Sequence, residues 1–197
     1  QFKRKDVLYH PGYYNIPESP QKLIVPDFLG SVLHGEQVIT ASSVCIPRSI
    51  LEEVGLFDEH IRDGEDQDLW NRIALQYPVA FHWKASAVYR QDADNMLTRH
   101  VPKNELDYAV KIQRLLDEGK IPQNKEDVMR KIIAANLIGV ASMNILAGDK
   151  TTARKFLDDP RSRLLPEKRQ YWVSLMRLPS FLVRILYNWR RKLLQKR

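Results

Sequence analysis

The sequence predicts an α/β fold in fragment form (an α+β fragment), in which an incomplete mixed sheet with flanking helices is followed by an all-helical C-terminal region. Three observations carry this. Runs rich in β-branched and aromatic residues, with loose alternation, occur at 22–25, 37–46 and 79–89. A short amphipathic helix, marked by acidic residues at its start, lies between the last two. Beyond residue 101 the apolar residues recur at helical spacing. The chain therefore divides into 1–100 and 101–197.

Each element has its own local signal. Residues 9–27 carry Pro11, Pro17, Pro20 and Pro26 and read as an ordered, irregular loop. Pro47 marks the entry of a helix over 48–54, with Gly55 in the left-handed position past its end and Leu56 as the apolar residue that follows. In the second region the spacing predicts helices over 103–119, 124–147, 150–158 and 180–195. Met129, Ile132, Ile133, Leu137, Val140, Ala141 and Ile145 form the core stripe of the second of these, and Gly148-Asp149 closes it. The segment 148–157 has the flavour of a tetratricopeptide hairpin, but a single unit does not make an array, so it reads as a plain helix pair.

Composition narrows the class. A chain of 197 residues with 44% hydrophobic and 28% charged residues is globular and has room for one domain, or a domain with an appendage. Cys45 is alone, so no intrachain disulfide is possible, which fits a reducing compartment. It is expected to be a packed thiol. No run reads as long and apolar enough to cross a bilayer, and there is no signal-peptide pattern. The chain starts at Gln1 without a methionine, as a piece of something longer would. The net charge is +7 and the pI about 9.5. From Arg184 onward there are Arg190, Arg191, Lys192, Lys196 and Arg197 and no acidic residue, an asymmetry that points to an anionic partner surface.

The acidic stretch before Trp70 is the main candidate for chemistry. Asp63 is a good N-cap, and Asp66 follows at capping-box spacing. Leu69, Trp70, Ile73, Ala74 and Tyr77 give the helix an apolar stripe, and Pro78 ends it. At about 100° per residue Asp66 falls inside that stripe and Asp68 on the opposite, solvated side. A carboxylate on the buried side is costly unless it has a partner or a task, and it tends to hold its proton more tightly unless paired. The plainer reading is that Asp66 caps backbone N–H groups. An EF-hand reading fails in register, because Ile61 and Trp70 fall on ligand positions. His10, His34, His60, His82 and His100 show no metal-ligand spacing with the lone cysteine.

Four blocks in order widen the argument. They are Ile39-Thr40-Ala41-Ser42-Ser43-Val44-Cys45-Ile46-Pro47-Arg48; Leu51-Glu52-Glu53-Val54-Gly55-Leu56-Phe57-Asp58; Glu65-Asp66-Gln67-Asp68-Leu69-Trp70-Asn71-Arg72; and Val88-Tyr89-Arg90. Over roughly 37–95 they resemble the acceptor-side half of family 2 glycosyltransferases of the GT-A fold. The resemblance implies an inverting transfer of a sugar from a nucleotide-sugar donor to a glycan or lipid-linked acceptor hydroxyl, in surface polysaccharide or glycan synthesis. It implies Asp66 as the catalytic base, with Glu65 binding the acceptor or orienting the base. Trp70 and Arg72 would chiefly lock the helix against the sheet, or reach the acceptor, and Ser42, Ser43 and Arg90 would line the acceptor side.

The resemblance also implies a divalent metal, Mg²⁺ or Mn²⁺, on the donor diphosphate. In the family an Asp-x-Asp motif at the end of a nucleotide-binding half holds it, and no such half is legible before residue 37. Asp66-Gln67-Asp68 runs straight into a helix, so Asp92-Ala93-Asp94 is the better literal match. Many members carry a His two positions after the Tyr-Arg pair, where Asp92 stands here. Asp92 is thus the single candidate ligand. On this reading the chain holds the acceptor wall and the base, and is silent as a catalyst by itself.

The C-terminal helix has Leu182, Ile185, Leu186, Trp189 and Leu193 on one face and basic residues elsewhere. It fits a helix lying on an anionic membrane surface through 180–197, or one docked on the domain by its apolar face. The expected location is the cytoplasm, with peripheral attachment to the inner face of the membrane. The rival function is a non-catalytic basic binding or scaffold module, for nucleic acid or a membrane surface. Nucleic acid is not the expected partner, because the basic residues are not interleaved with aromatics and no reader motif occurs.

Overall fold

The computed structural model describes residues 22–33, 39, 41–82 and 100–194. They are mostly helical, which overturns the α/β expectation. The helices are α1 (Phe28–Val32), α2 (Arg48–Val54), α3 (Glu65–Gln76), α4 (Asp107–Asp117), α5 (Gln123–Ala147), α6 (Lys150–Asp158), α7 (Pro166–Met176) and α8 (Ser180–Leu194). The strands among the described residues are β1 (Lys22–Ile24) and β2 (Ala80–His82), paired antiparallel with Leu23 opposite Phe81. Two strands of three residues do not make a mixed sheet.

The predicted strand over 37–46 supplies the physical reason. Its middle, Ala41–Ser43, is a 3-10 turn. Small and hydroxyl residues pack poorly on a pleated surface, and serine side chains compete for the backbone. The flanking apolar residues bury themselves on a helix instead. Val44 and Ile46 pack against α3, while Cys45 between them is exposed. The expectation of a packed thiol is therefore wrong, because the extended segment alternates in and out with the cysteine outward. Residues 83–89 of the third run lie outside the described residues.

The chain forms two compact units, one of 1–60 with 65–90 and one of 61–64 with 91–197. In the first, Leu69, Trp70 and Ile73 of α3 form the core. Phe28, Ile39, Val44, Ile46, Ile50, Leu51, Val54 and Tyr77 pack around them. The apolar stripe predicted for this helix is thus its core face.

In the second unit α5 is the hub, against which α4, α6, α7 and α8 all pack. Its predicted stripe, Met129, Ile132, Ile133, Leu137, Val140, Ala141 and Ile145, is buried throughout. The helix ends as Gly148-Asp149 predicts. Gly148 is left-handed at φ 96° and the Asp149 N–H reaches back to the Asn144 carbonyl at 2.8 Å. With 25 residues and a mean hydropathy of 1.3 over its most apolar stretch, α5 is long and apolar enough to cross a bilayer, against the expectation that no run qualifies. It nevertheless buries that surface on its neighbours.

Helix α1, capped by Asp27, was not foreseen, and two further helices differ from expectation for local reasons. α4 begins at Asp107 and not at 103, because the preceding residues are held by side chains. Asn144 Nδ2 donates to the Pro102 carbonyl at 2.8 Å, and Lys103 Nζ bridges Asn144 Oδ1 and Asp149 Oδ2. α7 was not foreseen. Pro166 at its first turn is a start signal, but only Leu175 is buried and no stripe develops.

Candidate functional site

The acidic stretch folds as α3, beginning at Glu65. The N-cap position therefore falls on Gly64, not on Asp63. Gly64 has φ 87°, and a Cβ there would stand 2.3 Å from the Tyr108 ring, so only glycine fits. Glu65, Asp66 and Asp68 fill the first turn, where the helix dipole favours negative charge.

The placement of Asp68 contradicts the wheel. Asp68, expected to be solvated, is 3% exposed. Asp66, expected on the buried face, is half-buried, and its Oδ1 accepts the Gln67 N–H at 2.7 Å. It therefore does engage a backbone donor of the first turn, as its plainer reading has it. The wheel assumes one covered face, whereas the second turn of α3 is covered all round. Asp68, Leu69, Trp70 and Asn71 are consecutive and all buried.

Arg72 is the reason Asp68 is buried. Its Nε donates to Asp68 Oδ2 at 2.9 Å. Its terminal nitrogens reach the end of α2, with NH1 donating to the Val54 and Gly55 carbonyls at 2.7 and 3.1 Å and NH2 to the Leu56 carbonyl at 2.7 Å. One guanidinium thus holds a carboxylate and three carbonyls, which a planar five-donor group can do and an ammonium cannot. Gly55 permits this approach. Its φ of 91° with ψ of 157° is open to glycine, though it is not the left-handed conformation expected, and a Cβ would sit 3.4 Å from Arg72 NH1. Leu56, the apolar residue that follows, is exposed.

Trp70 is buried, with its ring edge-on to Phe57 at 6.3 Å. Its indole N–H and both amide atoms of Asn71 have no hydrogen-bond partner among the described residues. Glu65 is exposed. Ser42 and Ser43 are exposed on the 3-10 turn. Arg90, Asp92 and Asp94 lie outside the described residues. Asp68 was read from sequence only as a solvated charge, and Asn71 and the half-exposed Phe57 were not singled out, though all three lie at the site. The i, i+4 spacing of Asp68 and Arg72 was a signal for the first of these.

Among the described residues no three His, Cys, Asp or Glu side chains come together in a way that would hold a metal. The expected Mg²⁺ or Mn²⁺ belongs mainly to a nucleotide-binding half not legible here, and its one candidate ligand in this chain, Asp92, lies outside the described residues. His60, His82 and His100 are exposed. A shallow groove of about 480 Å³ lies in the helical unit, lined by Glu105, Gln113, Arg114, Asp117 and Arg161 among others. None of the residues singled out from sequence lines it. Beside it Arg161 makes a two-pronged ion pair with Glu105 at 3.1 and 2.8 Å and also holds Asp159, which marks it as a structural clamp. Comparison with known protein families, with curated proteins and with solved structures finds no match.

Proposed function

We propose that this chain supplies the acceptor wall and the general base of an inverting glycosyltransferase that moves a sugar from a nucleotide-sugar donor to a glycan or lipid-linked acceptor. The observation that carries the reading is the first turn of α3. There Asp66 is half-buried, not fully solvated, on a helix fixed by the buried Trp70 and by the four-way grip of Arg72. The ordered blocks around it in sequence support the same reading.

The chemistry needs what such a turn provides. A sugar hydroxyl attacks well only if its proton is withdrawn as the new bond forms, and a carboxylate within hydrogen-bond reach does this. The acceptor oxygen bonds to the anomeric carbon while the bond from that carbon to the nucleoside diphosphate breaks on the opposite face. The configuration inverts, and the proton passes to Asp66 and then to solvent. Rigid support matters because misplacement by about 1 Å costs such a reaction around 100-fold. Glu65, exposed beside it, is suited to hold a neighbouring acceptor hydroxyl.

The test is Asp66→Asn in the complete reading frame that contains these residues. Nucleoside diphosphate release is followed over a panel of nucleotide sugars and acceptors. The expected loss in kcat is about 10²–10⁴-fold, with donor KM unchanged. Residues 1–197 alone are expected to show no transfer. Full transfer by the Asn variant would remove Asp66 from the mechanism, whereas no transfer by the unaltered reading frame would favour the non-catalytic module.

A further inference from the structure

Helix α8 is held by the face that its sequence makes least apolar. Val183 is 0% exposed, Ser180 and Tyr187 are half-buried, and Arg184 Nε donates to the Leu146 carbonyl at the end of α5 at 2.7 Å. Tyr187 leans on Trp172 of α7 at 5.9 Å, and Lys150 Nζ fixes the turn before α8 through the Leu178 carbonyl at 2.7 Å. These contacts recur at positions 180, 183, 184 and 187, the spacing of one docked helix face. The larger apolar residues face away. Phe181, Leu182, Ile185, Leu186 and Trp189 are all exposed, Ile185 at 60% and Trp189 at 62%. They span about 140° of the helix at 100° per residue. A contiguous exposed stripe of this kind on a docked helix marks an interaction surface.

Charge selects the occupant. Residues 168–197 hold nine Lys or Arg and no Asp or Glu, whereas residues 1–167 hold 22 Lys or Arg against 24 Asp or Glu. The whole positive excess of the molecule therefore lies in the segment that presents the stripe. A second copy meeting this face would bring two such segments together and repel. An anionic lipid surface satisfies both features. It takes the apolar side chains to the depth of the headgroup boundary, seats an aromatic residue such as Trp189 there, and attracts the cationic flank. We propose that α8 is a membrane-surface helix, lying flat on an anionic bilayer with Phe181, Leu182, Ile185, Leu186 and Trp189 inserted, while its other face stays docked on α5 and α7. This surface is independent of the glycosyltransferase reading and stands or falls without it.

The experiment is co-sedimentation of the 197-residue chain with vesicles of phosphatidylcholine alone and of phosphatidylcholine mixed with phosphatidylglycerol. The chain is expected to pellet with the mixed vesicles and not with the zwitterionic ones. It should be released when salt rises from about 0.1 to 1 M, where screening shortens from about 10 to 3 Å. The double variant Ile185→Glu with Trp189→Glu changes only exposed positions and is expected to abolish pelleting with an unchanged thermal melt. Arg190→Gln with Arg191→Gln is expected to weaken it by about 5-fold per charge. Failure to pellet with mixed vesicles overturns the proposal, as does undiminished pelleting of the Glu variant. A concentration-dependent dimer in sedimentation velocity that the Glu variant dissolves, with no vesicle binding, assigns the stripe to a second copy instead.

Discussion

Helices α3 and α5 both place polar side chains where water does not reach, and they treat them differently. On α5 two asparagines are buried: Asn136 donates to the Tyr108 hydroxyl at 3.3 Å and has its oxygen unpartnered among the described residues, while Asn144 is spent on the fold. Its amide nitrogen satisfies the Pro102 and Val140 carbonyls, its oxygen takes Lys103, and seven large apolar side chains share the same helix core. On α3 the polar burial is denser and the apolar core smaller. Asp68 and Asn71 flank Leu69 and Trp70, and the Trp70 and Asn71 polar atoms have no partner among the described residues. Burying polar groups on a short helix costs stability unless each is answered. α3 answers one of them, Asp68, with Arg72, and carries its half-buried Asp66 at the very end. Proteins accept such an arrangement where a site needs fixed polar groups, whereas α5 has the composition of a scaffold.

That contrast can be broken or sharpened, and the largest effect belongs to chemistry. On the proposed function, Asp66→Asn should cut transfer about 10²–10⁴-fold while shifting stability by no more than about 0.5 kcal/mol, since the amide oxygen still accepts the Gln67 N–H. A loss of stability as large as the loss of activity would make Asp66 a cap and nothing more. In α5, Leu137→Ala removes a side chain 1% exposed. It should cost about 3–5 kcal/mol in chemical denaturation, through lost transfer energy and an unfilled cavity. In α3, Arg72→Ala should cost about 3 kcal/mol, because the Asp68 carboxylate stays buried without its guanidinium. Arg72→Lys should recover only part of this, because a single ammonium cannot reach Asp68 and three carbonyls together. Equal stability of the Lys variant and the wild type would show that charge, not the fork, holds the turn.

The smallest effect is on acid stability, and it belongs to the helical unit. Lys103, then the Thr152 N–H and hydroxyl, hold the Asp149 carboxyl well below the usual carboxylate range, and Arg161 lowers Asp159. Both groups therefore have a lower pKa folded than unfolded. Their contribution is complete above the unfolded value, near 3.9, and is lost as pH falls through the folded values. The thermal midpoint of the chain should be flat above about pH 5 and fall below about pH 4. Asp149→Asn should flatten that fall, and an unchanged acid limb would show that other carboxylates dominate it.

Much of the helical unit was legible along the chain. The ends of α5 and α6 rest on Gly148 and Asp149, neighbours in sequence whose capping geometry involves only the adjacent turns. α2 likewise occupies the predicted 48–54, between Pro47 and Gly55. The candidate site was legible as a place but not as an arrangement. Asp66 stood out from its motif, yet the side of α3 on which Asp68 lies is covered through Arg72, whose carbonyl partners sit 16 to 18 residues away. The sheet was misread because an apolar run of strand-like composition is equally content to pack on a helix, as Val44 and Ile46 do on α3.

Local chemistry by itself settled where α2, α5, α6 and α8 start and stop, which residues line α5, and where charge accumulates, because caps, periodicity and charge act within a turn or two of the chain. Tertiary structure alone decided which faces are covered. It turned Asp68 inward under Arg72, left Cys45 outward, and docked α8 by Val183 with its broader apolar stripe exposed. The physical reason is that an amphipathic pattern states only that a face prefers not to meet water. What that face does meet depends on partners far away along the chain.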